Sequence, residues 1–266
     1  MPNRSPRLNG DALPWMLDPA NPSIRYWTLT DILGRTTSDP AVREARTAIA
    51  RQPLAQKVFA LQQPDGHWGD ETKPYTAQGA VTALTLLHML GVVPDERTTA
   101  GCESFLRFCQ HESGGFSMTK TVRSGIFPCT TGAHLPFLAY FGRENDPHVR
   151  AAFAFLIDAM SAGDALNCGR YQHRDCLWGA IAALNGLVAL PADMRSAQSE
   201  RAIKRLANSL LDATYDFAGE HKRWLTFGVP RAWDLLSALN ALAANGYARD
   251  PRFTPLLDRV LDRQDE

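Results

Sequence analysis

The sequence predicts an all-α protein in which helical hairpins ring a central cavity, and three observations carry that prediction. Ala- and Leu-rich stretches of about 11 to 17 residues are separated by short segments that hold most of the Gly and Pro, and no stretch alternates as a strand does. The stretches are of two kinds that take turns along the chain, one mixing apolar with charged positions and one almost free of charge. A joint motif recurs between them at a spacing near 50 residues.

The mixed stretches are 97–109 (RTTAGCESFLRFC), 147–160 (PHVRAAFAFLIDAM) and 198–213 (QSERAIKRLANSLLDA). Each carries an apolar face and charged positions, so each is expected on the outside. The charge-free stretches are 76–90 (TAQGAVTALTLLHML), 129–141 (CTTGAHLPFLAYF), 176–190 (CLWGAIAALNGLVAL) and 234–245 (DLLSALNALAAN). A helix that is apolar nearly all round must be covered on every side, which places these inside. Strict alternation then makes each outer–inner pair a hairpin and sets the inner helices parallel to one another around a shared space.

The joints support a repeat. LQQPDGHWG at 61–69 and FCQHESGGFS at 108–117 share an outer-helix end, a Gln, a Gly turn and an aromatic, and Trp68 and Phe116 are 48 residues apart. A third, degenerate copy ends near Leu166-Asn167-Cys168, and LDRQDE at 261–266 reads as the opening of another. The segment LQQPDGHWGD resembles the Gln-and-Trp motif of the prenyltransferase and squalene oxidase repeat, found in class II terpene cyclases and in the β subunits of protein prenyltransferases. The chain from about Leu13 onward is also similar to small bacterial proteins of that repeat class. The resemblance implies an α/α toroid, here a single domain over 1–266 with 1–12 as a flexible tail.

Composition narrows the function. With 28 Lys+Arg against 28 Asp+Glu and no block of like charge, the chain lacks the electrostatic term behind most nucleic-acid binding and most attraction to anionic lipid. No signal-like segment opens the chain, so a cytoplasmic location is expected. The charge-free run 74–94 carries Gln78, Thr82, Thr85 and His88 and is broken by Gly79 and Gly91, which argues against a membrane span. In a reducing compartment Cys102, Cys109, Cys129, Cys168 and Cys176 are core residues, metal ligands or catalysts, not disulfides. A homo-oligomer is compatible with the sequence, which sets no stoichiometry.

Parallel inner helices bring their N-termini to one mouth, so residues at those starts converge across long sequence distances. The starts hold Tyr75 and Thr76; Cys129, Thr130, Thr131 and His134; His173, Arg174, Asp175 and Cys176; and Arg231, Trp233 and Asp234. Helix N-termini offer unpaired N–H groups and favour thiolate and carboxylate. Cys176, Asp175, His173, Asp234, Cys168 and Cys129 are the candidate catalytic groups. Tyr75, His134, Trp178, Arg231 and Trp233 are the candidate substrate-binding residues, and a small hydrophobic molecule, isoprenoids included, is the expected ligand.

Two chemistries stay open. Cys129, Cys168, Cys176 and Asp234 offer donors of the kinds zinc takes in tetrahedral sites. The resemblance adds that prenyltransferase β subunits hold zinc with an acidic residue and a Cys at one inner-helix start and a His at a later one. Asp175-Cys176 stands at the first place, though adjacent and not separated by one residue, and Asp234 stands near the second. The metal-free alternative is acid/base work as a lyase, dehydratase or isomerase, in which acid or thiol protonates a leaving hydroxyl or alkene and imidazole or thiolate removes a proton. Linalool dehydratase/isomerase, another α/α toroid, resembles that use of Cys, His and Asp. A third possibility is a toroid that binds lipid or peptide without catalysis. An Asp-x-Asp-Asp or Asp-Asp-x-x-Asp motif is absent, so usual terpene cyclisation is not expected.

The remaining residues have plainer readings. Cys102 and Cys109 belong to the core, as does His88, near the end of an inner helix where the dipole favours a cation. His67 and His111 fall in joints and are expected to be solvated. Trp68 braces packing.

Overall fold

The computed structural model of the chain describes residues 8–117, 125–162, 176–213 and 234–264, and the candidates Cys168, His173, Asp175, Arg231 and Trp233 lie outside them. The described residues are mostly helical and contain no strand; backbone pairing between extended residues is confined to isolated bridges. They gather into two compact units, 8–105 and 106–264.

In the first unit, helix α1 (Leu13–Met16) precedes α2 (Pro22–Trp27), which runs into a π-helical turn at Thr28–Ile32, then α3 (Pro40–Ile49), α4 (Pro53–Ala60) and α5 (Ala80–Leu90). Helix α6 (Glu96–Cys109) spans the boundary, and the second unit continues with α7 (Pro128–Tyr140), α8 (Pro147–Ser161), α9 (Leu177–Val188), α10 (Ala197–Leu211), α11 (Leu235–Ala244) and α12 (Phe253–Leu261). The seven expected helices all form. Most ends agree within about two residues, but α5 starts at Ala80 and not at Thr76. There the chain first makes a tight turn in which Gly79 N–H donates to Thr76 O at 3.0 Å and Val81 N–H to Pro74 O at 3.0 Å.

In the second unit the charge-free helices pack on one another. Inner α7 lies against inner α9 and α9 against inner α11, outer α8 lies against outer α10, and α7–α8 and α9–α10 are hairpin partners. In the first, α2 packs on α3 and α5, and α4 on α5. Outer α10 buries Ala202, Ile203, Leu206, Ala207, Leu210 and Leu211, a stripe at helical spacing, and leaves its charges outside. Inner α9 is covered nearly all round, from Leu177 through Leu187. Helix α11 is not: Leu236 is 40% exposed.

The two joints fold alike. The Gln62 amide donates to Gly66 O at 3.0 Å and to Arg97 O at 2.8 Å, and the Gln110 amide donates to Gly114 O at 2.9 Å and to His148 O at 2.6 Å. Each Gln thus closes its own turn and satisfies a first-turn carbonyl of the next outer helix. Gly66 and Gly114 have φ of 93° and 89°, and a Cβ on either would meet a carbonyl oxygen, of Ala100 or Ala151, at 2.6 Å. Only glycine fits both demands. Trp68, buried, donates its indole N–H to Val58 O at 2.8 Å, the bracing role expected of it. His67 and His111 are less solvated than expected: each is half-buried, with Nδ1 tied to Asp65 at 2.6 Å and to Ser113 at 3.1 Å.

A second repeated signal accompanies the joints. Helices α3 and α8 begin on Asp-Pro, with Asp39 and Asp146 as N-caps accepting the N–H of Ala41 and His148 at 2.8 and 2.9 Å, and Asp250-Pro251 leads into α12. At α6 the same place is taken by Asp95, which exchanges two 2.8 Å bonds with Thr98.

His88 lies near the C-terminus of α5, edge-on to Trp27 with ring centroids 6.3 Å apart. A helix C-terminus favours a cation, but here burial wins and pushes the imidazole pKa from 6.5 down to about 4, so the ring is neutral. The unfolded chain therefore binds this proton more readily than the folded one between those values. Stability present above pH 6.5 is lost as pH falls toward 4, by the order of 2–3 kcal/mol. Denaturation midpoints measured across that window should fall with pH in the wild type and fall less steeply in His88→Gln; parallel slopes would refute the assignment.

Candidate functional site

The second unit places Cys129, Cys176 and Asp234 at the N-termini of α7, α9 and α11. Cys176 is the N-cap of α9, its Sγ accepting the Gly179 N–H at 3.4 Å. Asp234 is the N-cap of α11, and its Oδ1 accepts the Ser237 N–H and hydroxyl, both at 2.8 Å. Cys129 follows Pro128, which opens α7 after Phe127. Each position has a local cause: thiol and carboxylate supply the acceptor that a first-turn N–H needs, and Pro at the first helical position gives up an N–H that would have no partner.

The proximity of Cys129 and Cys176 has a different cause, the glycines of α7 and α9. A Cβ on Gly132 would lie 2.5 Å from Ala182 O and 2.6 Å from Ala183 Cα, and one on Gly186 would lie 2.7 Å from Gly132 Cα. The two backbones therefore touch. Pro136 cannot donate to Gly132 O, four residues back, and a Cβ on Gly186 would come 2.7 Å from that same oxygen. Nearer the N-termini, Cys129 Cβ, Cys176 Cβ and Cys176 Sγ all lie within 3.7 Å of the place where a Gly179 Cβ would be. Moving from Cys129 to Gly132 on α7 moves from Gly179 to Ala182 and beyond on α9, so the helices run in the same direction, as the charge pattern predicts. On the other flank of α9, Asn245, just past the end of α11, donates to Leu184 O at 3.3 Å. That bond joins the C-terminal part of α11 to the C-terminal half of α9.

Cys129 is half-buried and Cys176 is 9% exposed. Asp234 is 4% exposed, and among the described residues its Oδ2 has no hydrogen-bond partner and the carboxylate no cation. The joint supports the site from below: Phe116 N–H donates to Thr131 Oγ1 at 2.9 Å, and Thr131 is fully buried in the first turn of α7. His134, a proposed substrate contact, is buried between Phe116 and Phe137, with ring centroids at 6.1 and 5.6 Å. Trp178 is half-buried in the first turn of α9, and Tyr75 is half-buried in the turn ahead of α5, in the first unit.

As metal donors, Cys129, Cys176 and Asp234 fall short in the described arrangement. The three donor atoms do not all lie within 4.8 Å of one another, as a tetrahedral zinc site requires. Among the described residues the set that meets this spacing is Asp65, His67 and Glu71, in the first joint, which was not anticipated. There the hydrogen bond to His67 holds the Asp65 carboxyl below its usual pKa, but Asp65 is exposed. Cys102 and Cys109 are fully buried on α6, as core residues. No helix among the described residues is long and apolar enough to cross a membrane.

Comparison with protein-family models, with curated proteins and with solved structures yields no match to this chain.

Adding a methyl at Gly132 should force α7 and α9 apart and cost about 1–3 kcal/mol. A methyl at Gly179 meets side chains at ordinary contact distance, 3.6–3.7 Å, and replaces a helical glycine. Gly179→Ala should therefore be neutral or stabilising by up to about 1 kcal/mol. Urea denaturation of both variants checks this: equal effects would mean the backbones are not in contact.

Proposed function

We propose that the chain is an α/α toroid of the terpenoid cyclase and protein prenyltransferase type, and an enzyme acting on a small hydrophobic molecule by metal-free acid/base chemistry. The observation that carries the reading is the meeting of Cys129 and Cys176 at one seam, with the buried Asp234 heading the next charge-free helix and its Oδ2 without a partner among the described residues. A thiol beside an apolar seam and a carboxylate at a helix start are the minimum for moving a proton onto a leaving hydroxyl or alkene and taking one from a neighbouring carbon. Both cap bonds go to Oδ1, so Oδ2, which has no hydrogen-bond partner among the described residues, is the atom we assign to the proton transfer. Cys176 Sγ sits at a helix N-terminus, which favours thiolate and suits it to the base role. The inner helices behind them are Ala- and Leu-rich, walls that suit an isoprenoid alcohol or alkene better than a charged substrate.

Of the four zinc candidates, Cys168 lies outside the described residues. The described thiols and carboxylate do not converge to ligand spacing, so no step is routed through a metal.

A short isoprenoid alcohol such as geraniol is the probe, with its dehydration or isomerisation followed by gas chromatography and metal content measured on the same preparation. Cys176→Ser and Asp234→Asn keep a capping oxygen while removing the thiol or the ionisable oxygen. Each should lower turnover at least about a hundredfold, the scale of one lost acid/base group, with the protein free of stoichiometric metal. One zinc per chain, lost in Cys176→Ser, would overturn the metal-free assignment. Binding of the probe without turnover would overturn catalysis in favour of a carrier role.

A further inference from the structure

We infer that Cys129 and Cys176 form a reversible disulfide that staples α7 to α9 and shuts the seam between them. The inference rests on the same juxtaposition as the proposed site but not on the reaction assigned to it. Three features of the seam converge. Gly132 and Gly186 bring the helix backbones into contact, nearer than side chains would allow, and so lower the distance a cross-link must span. Gly179, between the thiols, has no side chain to hold them apart, and Cys129 Cβ and Cys176 Sγ lie 3.7 and 3.6 Å from the point its Cβ would occupy. The exposures differ in a useful sense: Cys129 is half-buried and within reach of a small oxidant, whereas Cys176 is 9% exposed and heads a helix. The other described thiols, Cys102 and Cys109, are fully buried on α6 and have neither feature.

The chemistry needs an oxidant of the peroxide class. Cys129 thiolate attacks a peroxide oxygen, an S–O bond forms, the O–O bond breaks, and hydroxide leaves as water after taking a proton. Cys176 thiolate then attacks the sulfenic sulfur of Cys129; the S–S bond forms, the S–O bond breaks and a second water departs. Two thiols lose two electrons, and hydrogen peroxide gains them. A thiol reductant reverses the step. With both sulfurs consumed, the thiolate base of the proposed site is gone, so oxidation and activity exclude one another.

Full-length protein treated with stoichiometric hydrogen peroxide, then alkylated and digested without reductant, should yield one cross-linked peptide pair containing Cys129 and Cys176. Its mass should be lower by two hydrogens than the sum of the reduced peptides, two alkylatable thiols should be lost per chain, and dithiothreitol should restore both. Cys129→Ser and Cys176→Ser should each abolish the cross-link. Cysteines 129 and 176 both remaining alkylatable, Cys129 passing on to sulfinic acid, or either one pairing with a different cysteine would overturn the inference. The readout is independent of turnover: a cross-link in protein inactive on every isoprenoid probe sinks the enzymatic reading alone, and an active protein without a cross-link sinks this one alone.

Discussion

The second unit depends on the contact between the backbones of α7 and α9. Most helix pairs in proteins are held 8–10 Å apart by the side chains between them. At Gly132 and Gly186 no side chain intervenes, and the helices meet on backbone atoms of Ala182, Ala183 and Gly132 itself. Everything proposed for the site follows from that approach. It aligns the two N-termini at one level, so that a residue capping α9 and one in the first turn of α7 come within reach across some 47 residues of chain, a separation at which no local motif could have joined them.

The joints do the complementary work of setting the hairpins in order. One glutamine amide has two donors, and in both joints one is used to close the turn and the other to satisfy a carbonyl of the next outer helix. A side chain that could donate once, or a turn residue with a Cβ, would give up one of those roles. The shared geometry at Gln62 and Gln110 is therefore a physical reason for the 48-residue recurrence. It also explains why Phe116 can stand where Trp68 stands: the aromatic fills space under the turn, and for Trp68 the space is made by Gly101, whose Cβ would lie 2.5 Å from the indole ring.

Helix content was legible, and so was the burial of α9 against that of α10, because charge cannot be buried without a partner, so its presence or absence along a stretch reports the side facing water. The rule works best for α9, flanked by α7 and α11, and least for α11, where freedom from charge coexists with an exposed Leu236. An exposed Leu there means that lack of charge is permissive of burial and not diagnostic of it. The Asp-Pro pairs at or just before helix starts were equally visible in the sequence, as Asp39-Pro40, Asp146-Pro147 and Asp250-Pro251. The metal-capable spacing of Asp65, His67 and Glu71 was harder to see, since it is made by the reversal of the chain at Gly66 and Gly69 and not by a fixed interval.

For the site itself, position at a helix start was legible and purpose was not, because capping and chemistry ask for the same residue types. An Asp N-cap satisfies an orphan N–H and is worth about 1 kcal/mol whether or not the protein has a substrate. What separates the roles is the fate of the second oxygen. Asp39 and Asp146 cap outer helices and share their carboxylates with Arg35 and Arg143, so their charge is answered. Asp234 performs the same cap from a far more buried place, and no cation answers it among the described residues. A capping duty alone would be met at lower cost by Asn or Ser, which bring the acceptor without the charge. Asp234 keeps a carboxylate at a buried helix start with no cation beside it among the described residues, which is why the weight of the functional reading falls on Asp234 together with the thiols beside Gly179.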